Sequence, residues 1–219
     1  AYELQLEYKI STAGNSGIMF RVEETDGPPW HTGPEIQIND HARGRDPQKA
    51  GWLYQMYEAA KPNWMRVAEA DARLPTEADA ARPAGEWNHV YLRVTPEQCQ
   101  VLFNGVPYYT FQIGSDDWNQ RWKKSKFAEL ENFAKAESGY ICLQDHGNLV
   151  AFRNLKIRKL GPGGTPPQPI DGELPLKVTQ AFGEITWEDR EALDDRGQIK
   201  ELRPICMTRR AVASVSMEM

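Results

Sequence analysis

The chain has 219 residues, 40% of them hydrophobic, with seven Trp, eight Tyr, seven Phe and a formal net charge of −5. That is enough apolar material for one domain of ordinary size with residues to spare. The acidic balance argues against a binder of the nucleic-acid backbone, which shows a basic face, and no apolar run approaches the roughly 20 residues of a membrane-spanning helix.

Strand-like alternation is already under way at Tyr2, with no charged or apolar leader before it, so the chain reads as processed or cut from a longer one. Tyr2 to Ile10 alternates apolar and polar residues without a fault, the period of a strand with one buried face. Gly14-Asn15-Ser16-Gly17 turns the chain. A second strand follows from Ile18 to Val22, with Ile18, Phe20 and Val22 expected on one face and Met19 and Arg21 on the other. In a third, Glu35-Ile36-Gln37-Ile38, both polar side chains share a face. The Ala-rich span from Ala59 to Ala84 reads as loop, with a helical turn at Arg66 to Arg73.

Trp87 to Thr95 and Gln98 to Phe103 are two more strands, and Asn104-Gly105 between apolar runs signals a type I′ hairpin, whose two central positions need positive φ. Ser115 or Asp116 caps one short helix, on which Trp118, Trp122, Phe127, Leu130 and Phe133 recur at near-helical spacing, with a break near Ser125. Gly139 to Leu143 and Leu149 to Leu160 complete the strands. In the last, the apolar phase slips between Phe152 and Leu155, which places a bulge at Arg153-Asn154. The Gly/Pro-rich stretch 161–173 is a linker by composition, and residues 174–219 are too short for a β-domain of their own. Short strands with a single helical insertion predict an all-β sandwich. Cys99, Cys142 and Cys206 are three in number and lack zinc-ribbon spacing, so they are expected as free or buried thiols.

Seven short blocks in order carry a family resemblance: residues 14–21 (GNSGIMFR), 34–38 (PEIQI), 83–88 (PAGEWN), 104–106 (NGV), 125–127 (SKF), 143–147 (LQDHG) and 152–155 (FRNL). Together they resemble the 3-keto-disaccharide hydrolase domain over residues 1–160. Leu102-Phe103 stands where that family usually has Trp-Leu, and Glu131-Asn132-Phe133-Ala134 replaces a Pro-x-Phe-Gly block. The resemblance implies a concanavalin-like jelly roll, a carbohydrate substrate, a periplasmic or secreted location, and cleavage of glycosides already oxidised to a ketone at sugar carbon 3. The tail from Leu174, with Leu202-Arg203-Pro204-Ile205, resembles the opening of a sugar-dehydrogenase-like β-propeller, so residues 174–219 are expected to be the truncated start of a following domain.

A ketone at carbon 3 acidifies the hydrogen at carbon 2. Removing that proton lets the aglycone leave from carbon 1, and water then adds back. The chemistry asks for a base, a cation or donor set for the enolate oxygen, and an acid for the leaving group. Glu35 is the expected base; the alternative is an exposed strand glutamate. His146, at a strand-to-loop corner, is either an acid–base group, since imidazoles titrate near neutral pH, or a residue that ties down a turn. Arg21 either faces the enolate or forms a salt bridge to Glu35. Gln37, Tyr54, Glu86 and Gln144 are expected to contact substrate, while Arg153 at the bulge reads as architectural. Asp40 and Asp145, with Glu35 and His146, form a candidate oxygen-rich site for a divalent metal of unspecified identity. Trp52, Tyr54 and Trp87 are either sugar platforms or core. His31, His41 and His89 lack metal spacing. The competing function is a non-catalytic carbohydrate-binding module of a larger sugar oxidoreductase; convergence of Glu35, His146 and Arg21 on one pocket would separate the two.

Overall fold

A computed structural model of the chain describes residues 1–59 and 80–165, together with the strand backbones at 176–181, 185–187, 205–207 and 212–217. The strands are β1 (Tyr2–Ile10), β2 (Asn15–Val22), β3 (Glu35–Asn39), β4 (Asn88–Val94), β5 (Cys99–Phe103), β6 (Val106–Phe111), β7 (Tyr140–Gln144) and β8 (Val150–Lys159), with β9 (Leu176–Ala181), β10 (Ile185–Trp187), β11 (Ile205–Met207) and β12 (Val212–Met217) in the tail. They form two antiparallel sheets, ordered β10-β11-β8-β1-β4-β5-β6 and β3-β2-β7-β12-β9. This is the expected all-β jelly-roll sandwich with one short helix, α1 (Asp116–Lys124). No helix of the described residues is long and apolar enough to cross a membrane.

Alternation decides which side of each sheet is dry. Leu4, Leu6, Tyr8 and Ile10 of β1 and Val90, Leu92 and Val94 of β4 are buried against Ile18, Phe20, Ile36, Ile38, Ile141 and Leu143 of the other sheet. The hairpin forms as expected, with Asn104 and Gly105 at φ of 48° and 80°. Ser115 caps α1, its Oγ accepting from the Trp118 amide at 3.2 Å, and the helix ends before Ser125. Trp118 stacks between Phe111 at 5.5 Å and Phe133 at 6.3 Å, and Phe133 stacks on Phe127 at 4.3 Å. This column of rings anchors the helix and the segment after it to the sandwich.

Two strands carry a residue at positive φ that shifts their phase. In β8 it is Asn154, at φ 54°, where the register with β1 slips between Gln5 and Glu7. Arg153 and Asn154 both bind the Glu7 carboxylate, at 2.6 and 2.8 Å, so Arg153 is architectural as anticipated. In β2 it is Arg21, also at φ 54°, beside a register slip against β7 between Met19 and Val22. Here the alternation expected from the sequence fails. The extra residue turns Val22 away from Ile18 and Phe20 and into a second cluster with Met19 and Cys142 on the outer face of the sheet.

Of the segment expected as a linker, Pro162–Gly164 forms a 3-10 turn whose Gly164 carbonyl accepts from Arg93 at 2.7 Å, while 166–175 lies outside the described residues. In the tail, β11 pairs with β8 and β12 with β7. The helical turn expected at Arg66 to Arg73 also falls outside the described residues.

Gly51 is a conformational keystone. Its φ is 82°, and a Cβ there would come within 2.6 Å of ring atoms of both Phe103 and Tyr108. Its amide donates to the Gln37 carbonyl and its own carbonyl accepts from Tyr109 Oη, both at 2.8 Å. Gly51→Ala is expected to destabilise the fold by about 2–3 kcal/mol in urea unfolding, from backbone strain and overpacking combined.

Candidate functional site

The β2–β3 register pairs Met19 with Glu35 and Gly17 with Gln37, side chains outward, while Ile18 and Ile36 point into the core. The chain returns along the free edge of β3. Tyr54 N donates to Glu35 O, Gln37 N to Trp52 O and Gly51 N to Gln37 O, each at 2.8 Å, with Leu53 bridged to Ile36. Alternation therefore brings Tyr54 beside Glu35 and Trp52 beside Gln37 on the outer face. One step beyond the Ile18–Leu143 pair, Gly17 faces Gln144, whose carbonyl accepts from Ser16 Oγ at 2.6 Å. Glu35, Gln37, Tyr54 and Gln144 thus share one patch.

Glu35 is 6% exposed. Its carboxyl lies across Gly17: a Cβ there would meet Glu35 Oε1, and would stand 2.7 Å from its Cδ and 2.9 Å from its Cγ. The floor is apolar, formed by Met19, Cys142 and Val22 with Trp30 and Tyr140 packed against them. Burial pushes the Glu35 carboxyl up to about 7, with Lys126 pulling it down and the Asp46 carboxylate adding to the rise. Glu35 in turn raises the Cys142 thiol, which burial has already pushed up, to about 12.

Lys126 is the residue that sequence reasoning missed. Its Nζ stands 4.4 Å from the Tyr54 ring centre, 4.9 Å from Trp30 and 5.2 Å from Phe127. Its backbone amide donates to Gln55 Oε1 at 2.8 Å, and Phe127 beside it is buried in the ring column. The Ser125-Lys126-Phe127 block was visible in the sequence; what it did not show was that the lysine folds back over β3. Tyr54 Oη donates to Asp46 Oδ2 at 2.9 Å, and its phenol is pushed up to about 12, first by burial and then by that bond. Gln37 is 1% exposed, and its Nε2 has no hydrogen-bond partner among the described residues. A buried N–H in that condition is a donor waiting for an acceptor.

Other expected site residues stand outside the buried cluster around Glu35. His146 is exposed on the loop after β7, two residues past Gln144. Glu86 is exposed in the turn that leads into β4 of the other sheet. Arg21 is not brought to Glu35: the bulge sends it to the end of the sandwich, where it influences Tyr2 and Cys99. Arg21 therefore does not join Glu35, and Lys126 supplies the cation beside it instead. Asp40 is buried, but its oxygens accept from the amides of Ala13, Ala42 and Arg43 at 2.8–3.3 Å. Asp145 Oδ1 accepts from the Gly147 amide at 2.7 Å. Among the described residues no three His, Cys, Asp or Glu gather to hold a cation. The four donors named from the sequence do not fit a metal site in this arrangement.

Residues 1–158 match the profile of the family described as the 3-keto-alpha-glucoside-1,2-lyase-like domain. A 3-keto-disaccharide hydrolase of Bacteroides thetaiotaomicron is 29% identical over 179 residues, covering 73% of this chain and 58% of its own length. The chain thus spans little more than half of that relative. A candidate glycosyl hydrolase of Parabacteroides distasonis, known from its crystal structure, superposes with a TM-score of 0.61 at 29% identity, over 73% of this chain and 72% of that one. A second from the same organism, at TM-score 0.50 and 23% identity over 73% and 78%, shares the fold.

Burying Glu35 has a thermodynamic signature. Its folded-state pKa, near 7, lies above the ordinary 4.5, so from about 4.5 to 7 the unfolded chain releases a proton that the native state keeps. Stability contributed by the protonated form is lost as pH rises through that window. Glu35→Gln should match the native chain near pH 4 and exceed its stability by about 2–3 kcal/mol near pH 8, read from urea unfolding at the two pH values.

Proposed function

The chain belongs to the 3-keto-alpha-glucoside-1,2-lyase-like domain family, and on that premise we propose that Glu35 is the base in cleavage of a 3-keto-glycoside. The observation that carries this reading is a buried carboxylate held near a pKa of 7, beside a fixed ammonium and an unpartnered amide N–H. A base is most effective when its pKa lies near the working pH, and a buried base keeps its proton-accepting lone pair out of competition with water.

Glu35 takes the proton from carbon 2, and the electron pair moves onto the carbon-3 oxygen as an enolate. Lys126 and the Gln37 amide supply positive charge and an N–H donor for that oxygen. As the enolate collapses, carbon 1 and carbon 2 form a double bond and the bond from carbon 1 to the aglycone oxygen breaks. The departing oxygen takes a proton and leaves as an alcohol. Water then adds its hydroxyl to carbon 1 and gives its remaining proton to the group that protonated the leaving oxygen, while Glu35 returns a proton to carbon 2, so the net change is hydrolysis. Two groups are available to protonate the leaving oxygen: Tyr54, whose phenol stays neutral across the physiological range, and the loop residue His146. Trp52 and Gln144 flank the same patch as sugar contacts, and a periplasmic or secreted location accords with a saccharide substrate. The competing reading is a carbohydrate-binding module, favoured by the aromatic rim of Trp30, Trp52 and Tyr54.

The full chain should release aglycone from a 3-keto-glucoside and not from its unoxidised parent, with Glu35→Gln slower by about 10³-fold. A parallel assay with a chelator tests the need for a metal. The ratio kcat/KM should climb about tenfold per pH unit below the Glu35 pKa and level off above it, since the base works deprotonated. Lys126→Met removes the cation that lowers this pKa, so its profile should shift to higher pH. Alkyl against aryl leaving groups in Tyr54→Phe and His146→Ala identify the acid, because only poor leaving groups need one. Saturable sugar binding without turnover, unchanged in Glu35→Gln, would establish the binding module instead.

A further inference from the structure

The bulge in β2 does more than re-sort apolar side chains. It turns Arg21 into a cavity of about 590 Å³ at the end of the sandwich, away from the Glu35 patch. Ile113, Trp118, Trp122 and Phe133 form its apolar wall, and Asn119, Lys135 and Glu137 stand among its polar lining. Arg21 Nε is buried without a hydrogen-bond partner among the described residues, and the guanidinium forms no ion pair with them, Glu137 of the same lining included. Tyr2 Oη, close enough to feel the charge of Arg21, is likewise buried and unpartnered. A guanidinium does not shed its proton, so it stays cationic in this half-buried position. A cation drawn out of water with no counter-ion in contact is costly, and so is a non-glycine residue held at positive φ. Both costs fall on the same residue.

We propose that this cavity binds a small ring-bearing organic acid, with the carboxylate on Arg21 and the ring against Trp122 and Phe133. Three features select that class. Among the lining side chains Arg21 and Lys135 outweigh Glu137, which favours an anion. The fork of a guanidinium matches a carboxylate edge. The volume accommodates one or two six-membered rings, and the wall is aromatic. Sugar acids and aromatic acids share this chemistry.

Isothermal titration of the full chain with glucuronate and with 4-hydroxybenzoate tests the assignment, with glucose and phenol as the uncharged counterparts. At least one acid should bind saturably with a Kd of about 1 mM or tighter, and at least about tenfold better than its neutral counterpart. Which acid binds distinguishes the two sources. Arg21→Met should weaken it at least about tenfold. Asn119→Trp, which narrows the cavity from the surface of α1 and leaves Arg21 in place, should weaken it too and decides the matter if Arg21→Met does not fold. No heat from either acid up to about 10 mM overturns the proposal, as does equal binding by the neutral counterparts or equal binding by the folded variants.

Discussion

The chemistry of this chain depends on one steric fact: Gly17 has no side chain, and the carboxyl group of Glu35 lies in the space a Cβ would take. Strand neighbours normally hold each other's side chains upright. Here the missing neighbour lets Glu35 fold down onto the sheet, over Met19 and Cys142 and out of water. Everything unusual about the group follows. Its proton affinity rises because the charged form has lost its solvent, and Cys142, already hard to ionise because it is buried, becomes harder still beside another anion. The cost of such burial must be offset elsewhere. The sandwich provides that through the apolar layer between its sheets, where Leu6, Leu92, Ile18 and Ile36 have almost no contact with water.

The two positive-φ bulges show how a regular sandwich is edited. Both insert a residue into a strand already pairing on both sides, and both redirect an arginine. At Arg153 the redirected side chain is absorbed by Glu7 and by the ring of Trp87, which also receives Lys9, so that edit ends in architecture. At Arg21 no described residue forms an ion pair with it. The same backbone device therefore produces a closed ion pair in one strand and an open cation in the other. The difference lies in what the surroundings offer: β1 places Glu7 opposite Arg153, whereas Arg21 lines a cavity with Ile113, Trp118, Trp122 and Phe133 and pairs with no carboxylate among the described residues.

Much of the fold was legible in the sequence because the signals were local and periodic. The faultless alternation of β1, the Asn104-Gly105 turn, the Ser115 cap and the phase slip near Asn154 each depend on a few consecutive residues, and each appears where the pattern placed it. The β2 bulge was illegible for the converse reason. Ile18, Phe20 and Val22 alternate so well that nothing in the string reveals a change of face; only the pairing of Val22 with Tyr140 does. The shared face of Glu35 and Gln37 followed from their spacing of two. The contribution of Lys126 did not, because it depends on a loop folding 90 residues of sequence back over β3, and no periodicity encodes such a contact. Asp40 and Asp145 were misleading in a related way: an aspartate that will ligate and one that will bind the amides of its own turn look alike in sequence.

Lys126 also explains why the position of Glu35 is workable as well as unusual. Burial alone would drive a carboxyl far upward, to where it holds its proton at neutral pH and cannot act as a base. An ammonium in full contact would do the opposite and leave a weak, strongly paired carboxylate. The three rings of Trp30, Tyr54 and Phe127 hold Lys126 where its charge acts on Glu35 without an ion pair between them. Cation–π attraction is favourable on its own, so the lysine does not need Glu35 as its partner to stay in place. The carboxyl consequently feels the cation without being bound by it, and the opposing effects of burial and charge balance near neutrality. In the unbound protein that leaves positive potential unspent beside Glu35, where an enolate oxygen would develop its charge.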